Sequence, residues 1–264
     1  MELRKITQEE LNEIIEDHQH WIKMDCEGWG KKKADLSCAD LRYADLRGAN
    51  LKHANLTYAD LRDTNLAYVN LTYAILTRAD LRRSDLIGAN LNYTDLTYAD
   101  LRGANLSCTD LSCANLTRSD LIGANLSCTD LSCANLTYAD LRGANLSEVN
   151  YNHLTSFLSL QCPEEGSFIG YKKSGNKIVK LRIEEDSKRS SATSRKCRAS
   201  KVTVLSITSI DGTEEFQKAE NTGNYEFTYE VGKTYEIDDF DEDRWNECST
   251  GIHFFITREE AVKY

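Results

Sequence analysis

Proline occurs once in 264 residues and methionine twice, and with only 14 glycines the chain cannot be collagen-like or a Pro-rich linker. No stretch approaches the roughly 18 consecutive apolar residues of a membrane helix, and the N-terminal residues lack the basic segment and apolar run of a secretory signal. A soluble, cytoplasmic protein without membrane contact is therefore expected. Basic excess is missing as well. Of the net charge of -10, residues 1–33 carry -2, residues 34–150 carry -4 and residues 151–264 carry -4, so direct nucleic-acid binding is not expected. The nine cysteines are an odd number and form no C-x-x-C pair, which argues against a disulfide framework or a zinc ribbon and fits a reducing compartment. No Ser-His-Asp set, P-loop or Rossmann glycine pattern occurs. His18 and His20 stand two apart on a predicted helix and share no face. No metal and no other cofactor is expected.

What the chain does have is a beat of five. Leucine recurs at every fifth position from Leu36 to Leu146, preceded by Asp or Asn, with Ile75 the exception, and one further back by a small residue. A repeat held in phase over this length means one unit stacked on itself. The small position is Ala in most repeats and otherwise Ser, Thr or Val, which suits a tight interior beside the leucine. Burial of each leucine is worth ~1.5–3 kcal/mol, so the leucine ladder drives the stacking. Asp and Asn recur where a side chain can bond the backbone at a corner.

A second period of twenty is superimposed. Ser37, Thr57, Thr77, Thr97, Thr117 and Thr137 share it, as do Arg42, Arg62, Arg82, Arg102 and Arg142, with Ile122 interrupting the arginines. Residues 105–124 and 125–144 differ at three positions, the mark of a duplicated coil. Four pentapeptides per turn with strands ~4.8 Å apart give a rod roughly 28 Å long. The run ADLRGANLKHANLTYADL resembles the pentapeptide-repeat consensus. That resemblance implies a right-handed quadrilateral β-helix over residues 34–150, with leucine and the small residue inward.

The flanks read differently. Thr7 and Glu10 have capping-box spacing, and Leu11, Ile14, Ile15, Trp21 and Ile22 follow at helical intervals, so residues 1–33 are expected to form a helix capping the coil. After Asn150 the beat stops, and residues 151–163 read as a closing segment or linker. Residues 164–264 read as a small α+β domain with strands over 168–173, 177–183, 202–207, 225–237 and 252–256 and a last helix after Thr257. This part resembles a domain of unknown function that follows pentapeptide repeats in bacterial and phage proteins, on SSATSRKCRASKVTVL and DFDEDRWNECSTGIHFFITREEAVKY. The overall fold class is mainly β: a solenoid with a capping helix and a small C-terminal domain.

Candidate sites follow from the columns. Asp40, Asp60, Asp80, Asp100, Asp120 and Asp140 form an acidic ladder with the arginine column two residues along. Like charges stacked ~5 Å apart repel by about 1 kcal/mol even in water, so the pairing reads first as self-neutralisation and second as a docking face. Tyr73 stacks with Tyr93, and Tyr58, Tyr98 and Tyr138 alternate with Arg78 and Arg118. Tyrosine and arginine are enriched in protein interfaces, and this face is the expected contact with a protein partner, against the alternative of ordinary packing ladders. Cys108 with Cys128 and Cys113 with Cys133 form pairs on two faces, which cannot converge on one ion.

In the C-terminal domain Lys188, Arg189, Arg195, Lys196, Arg198 and Lys201 form a basic cluster opposite an acidic run over 238–243, and the two can complement each other. A sharper alternative makes Arg189, Arg195, Lys196, Arg198 and His253 a phosphate or nucleotide site. Gly251-Ile252-His253-Phe254 with Ala261 and Tyr264 is similar in spacing to elements of ADP-ribosyltransferases. That family also requires a catalytic glutamate on a later strand, whereas Glu259 and Glu260 fall in the expected last helix and the sequence stops at Tyr264, so the resemblance implies a degenerate relative that binds nucleotide at most. The favoured function is a non-enzymatic interaction scaffold that can form homo-oligomers. The alternatives are a nucleotide-binding C-terminal domain and a DNA-mimic inhibitor of a topoisomerase, the latter disfavoured by 14 acidic against 10 basic residues in the coil.

Overall fold

The computed structural model describes residues 3–156, 161–220, 228–246 and 248–264 and divides into two compact units, Met1–Leu158 and Ser159–Tyr264. In the first unit a short strand β1, Arg4–Lys5, pairs in parallel with β2, Ala39–Asp40. Between them lies helix α1, Gln8–Lys23, which starts on a complete capping box. The Glu10 N–H donates to Thr7 Oγ1 at 3.2 Å, and the Thr7 N–H donates to Glu10 Oε2 at 2.8 Å. The helix buries Leu11 and His18. Its side chains also bond the coil backbone: Gln8 Nε2 donates to the Asp45 carbonyl at 3.2 Å, and Gln19 Nε2 to the Asn50 carbonyl at 3.0 Å.

From residue 34 each pentapeptide repeats one geometry. The Ala39 N–H donates to the Leu36 carbonyl at 3.2 Å, closing a four-residue turn whose third residue, Cys38, has φ +55°. The same left-handed position recurs through the coil, filled by glycine at Gly48, Gly88, Gly103, Gly123 and Gly143 and elsewhere by tyrosine, arginine, cysteine or another side chain. Asp and Asn stabilise the turn by accepting the N–H two residues on, as at Ser37 N to Asp35 Oδ1, 3.1 Å, and Thr57 N to Asn55 Oδ1, 3.1 Å. Parallel bridges join each Asp or Asn position to the one twenty residues later, from Asp35↔Asn55 to Asp130↔Asn150. Each coil therefore takes twenty residues.

The interior is leucine on leucine. From Leu36 to Leu141 the leucines of the repeat are at most 2% exposed, while Leu146, in the last full pentapeptide, is only partly covered. Polar residues at the small position are buried but satisfied, as where Thr64 Oγ1 donates to the Leu41 carbonyl at 2.8 Å. The coil also runs past the expected stop. Ser156 bridges Asn135, and Thr155 Oγ1 donates to the Leu131 carbonyl at 2.8 Å, so the ladder gains one more step across an inserted residue.

In the second unit, β3 (Phe168–Ser174), β4 (Lys177–Ile183), β7 (Lys201–Ser209) and β11 (Thr234–Glu236) form an antiparallel sheet in the order β11-β7-β4-β3, with β8 (Glu215–Phe216) also on β7. A second sheet has the order β12-β6-β5, from Ile252–Phe254, Cys197–Ala199 and Arg189–Ser191. Strands β9 (Lys218–Glu220) and β10 (Thr228–Glu230) pair separately. Helix α2, Arg258–Lys263, starts on the Thr257–Glu260 capping box. A core of Val179, Leu181, Ile183, Val202, Val204, Ile207, Tyr229 and Phe254 lies inside. The unit is richer in strand than an α+β reading implies. The expected run over 225–237 is two strands, because the chain turns at Gly232, φ +85°, and the Lys233 N–H donates to the Glu230 carbonyl at 3.1 Å. Residues 225–227 of that run lie outside the described residues.

Candidate interaction surface

The turns place every fifth side chain of the coil at a corner, and the twenty-residue register stacks corners into columns. One column carries Tyr58, Arg78, Tyr98, Arg118 and Tyr138. Arg78 lies 5.7 Å from the Tyr58 ring and 5.0 Å from that of Tyr98; Arg118 lies 5.5 Å from the rings of both Tyr98 and Tyr138. These are cation–π distances, and Arg118 Nη1 also donates to Tyr98 Oη at 2.7 Å. The three tyrosines are 41–55% exposed, so the ladder faces solvent. The neighbouring corner column holds His53, Tyr73 and Tyr93, with ring centroids 5.1 and 4.9 Å apart and near-parallel planes. Cys113 and Cys133 continue that column, while Cys108 and Cys128 follow Tyr68 and Gly88 on another. Gly88 leaves room for the Tyr68 ring, which would have to shift if a Cβ stood there, 2.6 Å away. Cys128 Sγ donates to Glu148 Oε2 at 3.4 Å, and that hydrogen bond, with burial and the glutamate's charge adding to it, pushes the thiol's pKa up.

Between the two aromatic columns runs the face carrying Thr57, Thr77, Thr97, Thr117 and Thr137, with Ile75 standing 41% exposed where the other coils have Asp or Asn. On the far side of the Tyr–Arg ladder lies the Asp–Arg column. Arg42, Arg62, Arg82, Arg102 and Arg142 each form an ion pair with the aspartate two residues before, at 2.5–2.8 Å. Four of them also reach the aspartate of the next coil at 3.4–3.6 Å. The hydrogen bond from Arg42 holds the Asp40 carboxyl below the usual range, against the opposing effect of burial. Arg78 and Arg118 differ from this column: among the described residues neither has a carboxylate partner in an ion pair.

Among the described residues the clustered basic side chains of the second unit are engaged by partners within the protein. Arg198, expected as a ligand donor, is 2% exposed, and its guanidinium donates to the backbone carbonyls of Asp241, Thr250 and Asp243 at 2.7–3.1 Å. Arg189 is spent in the same way on the carbonyls of Pro163, Gly166, Glu184, Glu185 and Ser187. A guanidinium enclosed by five carbonyls replaces a missing backbone partner and is not offered to a ligand. Arg195 pairs with Glu260 at 2.6 Å, and Lys196 lies 5.6 Å from the Tyr264 ring. His253 sits opposite Arg198 in the β12–β6 register. Lys188 and Lys201 pair with Glu242 and with Asp186 and Glu236, so acid and base complement each other here.

One arrangement that no spacing in the sequence signals is the group of His20, Asp25 and Cys26, whose donor atoms lie within 4.8 Å of one another. Helical spacing could not show it, because Asp25 and Cys26 come back to the helix only through a left-handed residue at Met24, φ +54°.

Pentapeptide repeats, in eight copies, match residues 34–72, 64–103, 84–121 and 114–150. The chain belongs to the pentapeptide-repeat family. Residues 158–261 match a family of unknown function (DUF5758). Among solved pentapeptide-repeat structures, HetL of the cyanobacterium Nostoc sp. strain PCC 7120, involved in heterocyst differentiation regulation, is 34% identical over 45% of this chain and 70% of its own, with TM-score 0.25. A protein of the Arabidopsis thaliana thylakoid lumen is 32% identical over 41% of this chain and 72% of its own, with TM-score 0.23. QnrB1, a plasmid-mediated fluoroquinolone resistance protein, is 19% identical over 42% and 78%, with TM-score 0.25. No curated protein matches the chain. Among the described residues no helix is long and apolar enough to cross a membrane.

Proposed function

We propose that this pentapeptide-repeat protein is a non-enzymatic interaction scaffold whose contact face is the Tyr58–Arg78–Tyr98–Arg118–Tyr138 ladder with the adjoining Tyr73 and Tyr93. The carrying observation is the contrast between two arginine sets. The Asp–Arg column is neutralised within itself except at Asp120, whereas, among the described residues, Arg78 and Arg118 are held between tyrosine rings without a carboxylate in an ion pair. An interface aromatic with an adjacent guanidinium offers both apolar area and charge-assisted hydrogen bonds. The partner therefore presents carboxylates beside apolar or aromatic side chains. Capture by the full-length protein should be lost in Arg78→Glu/Arg118→Glu and retained in Arg82→Gln/Arg102→Gln. The opposite pattern moves the contact to the Asp–Arg face.

The finer architecture belongs to the same proposal. Four leucines per twenty-residue coil support a quadrilateral β-helix over residues 34–150, and its right-handed sense is what the pentapeptide-repeat resemblance implies. The bonds from α1 to the coil support a capping role for residues 1–33, with residues 151–163, of which 157–160 lie outside the described residues, closing the coil and 164–264 a separate domain. Mimicry of a DNA duplex has little support, since the aspartates a topoisomerase would read are mostly joined to arginines. Cytoplasmic placement and self-association stay within the proposal, the latter tested by sedimentation of the full chain.

A further inference from the structure

At the C-terminal end of α1 the chain reverses at Met24 and lays Asp25 and Cys26 against His20. His20 Nδ1 stands 2.7 Å from Asp25 Oδ1, and Cys26 Sγ completes a triangle with all three donors within 4.8 Å. The reversal is pinned from both sides. Lys32 forms an ion pair with Asp17, and the Lys33 ammonium lies 5.5 Å from the Trp21 ring, so the segment after Met24 is tied back to the helix at two points. None of these residues enters the contact face described above. A histidine–aspartate pair alone is an ordinary ion pair at a helix end; the adjacent thiol is what such a pair does not need.

We infer that His20, Asp25 and Cys26 bind a zinc-class transition-metal ion. One imidazole nitrogen, one carboxylate oxygen and one thiolate are the donor types zinc takes, and three protein ligands leave a fourth position for water or for a partner's side chain. Donors on a tetrahedral zinc at ~2.0–2.3 Å stand about 3.3–3.8 Å apart, so closing the triangle takes side-chain shifts of about an ångström. The site is partly open to solvent, which gives an ion its entry path. The helix C-terminus, with its free carbonyls, favours a cation there. On binding, the Cys26 thiol loses its proton to solvent, and His20 carries its remaining proton on Nε2, leaving Nδ1 to the metal.

The test is cobalt titration of the reduced full-length protein in a Cys108→Ser/Cys128→Ser/Cys248→Ser background, which removes the exposed thiols. One equivalent of cobalt should produce thiolate-to-metal charge-transfer and tetrahedral d–d bands. Cys26→Ser and His20→Ala should each weaken binding by more than the ~10–100-fold that loss of an outer-shell partner costs. Zinc should raise the melting temperature of the parent but not of Cys26→Ser, and equal melting of the two without metal shows that the variant folds. No cobalt band in the parent, or bands of equal strength in Cys26→Ser and His20→Ala, overturns the inference.

Discussion

Arg82 joins two successive coils: its Nη2 lies 2.6 Å from Asp80 Oδ2 in its own coil, and its Nε lies 3.4 Å from Asp100 Oδ2 in the next. The repeat thereby turns a stack of like charges into a zipper. Burial raises the Asp100 pKa, but the bonds and charge of Arg102, with the charge of Arg82, outweigh it and hold the carboxyl low.

The zipper has one missing tooth. At Asp120 the residue two places on is Ile122, and the carboxyl is pushed up, first by burial and then by Asp100 and Asp140, against the Ile122 N–H and Arg102. A carboxyl with a raised folded pKa favours folding while protonated and loses that contribution as pH rises through the folded value. Ile122→Arg should therefore lower the Asp120 pKa in an NMR titration. It should also add roughly 0.3–1 kcal/mol at pH 7, a gain that shrinks in high salt. Asp120→Asn should be neutral or stabilising, whereas Asp100→Asn should destabilise.

The interior sets the larger energies. Leu101 is fully buried with Leu81 and Leu121 one coil to either side, and Leu101→Ala should cost about 2–5 kcal/mol through lost burial and the cavity left behind. Leu146, partly exposed, should cost less than half as much on the same substitution. Paired denaturant titrations check the order. Equal losses would mean that the coil melts from its end before its middle is tested.

What could be read from the residues was what repetition amplifies. The inward leucines, the twenty-residue register, the Asp–Arg ladder and both capping boxes each rest on spacing alone. The Thr155–Ser156 step is not legible in the sequence, because one inserted residue shifts it out of phase. The left-handed corners were signalled by five glycines at one repeat position, but tyrosine, arginine and cysteine at the same position masked the signal. Arg198 read as a ligand donor because charge suggests a surface; only the fold shows the backbone carbonyls that need its guanidinium.

His18 is buried between helix and coil. The Ala34 N–H donates to its Nδ1 at 3.1 Å, which makes Nε2 the protonated nitrogen, donating to the Lys52 carbonyl at 2.9 Å. Burial lowers its pKa, the Lys52 carbonyl opposing. With the folded value below 6.5, the unfolded chain takes up the proton first. The stability tied to neutral His18 is thus full above pH ~6.5 and declines as pH falls through the folded pKa. Since Trp21 stacks on His18 at 5.3 Å, acidification should change tryptophan emission as α1 loosens. His18→Gln should abolish that pH dependence in a melting series from pH 7.5 to about 5, and an unchanged slope would place the titrating group elsewhere.

Lys172 lies opposite Val179 on β3, two residues from Gly170, where a Cβ would stand 2.6 Å from the Phe254 ring. Strand alternation therefore sends its stem toward the core face. Burial, with the Lys196 charge adding to it, lowers its pKa to about 8, and no carboxylate pairs with it among the described residues. At neutral pH the ammonium is charged in both folded and unfolded chains, and the folded state bears the desolvation. Between pH 8 and about 10.5 the folded chain has released the proton that the unfolded chain still holds, so stability rises with pH across that window. Lys172→Met keeps the stem and removes the charge. It should raise stability at pH 7 by about 1–3 kcal/mol and flatten the rise above pH 8, read from denaturant midpoints at both pH values. A destabilised variant would mean that the ammonium has a favourable role in the folded protein.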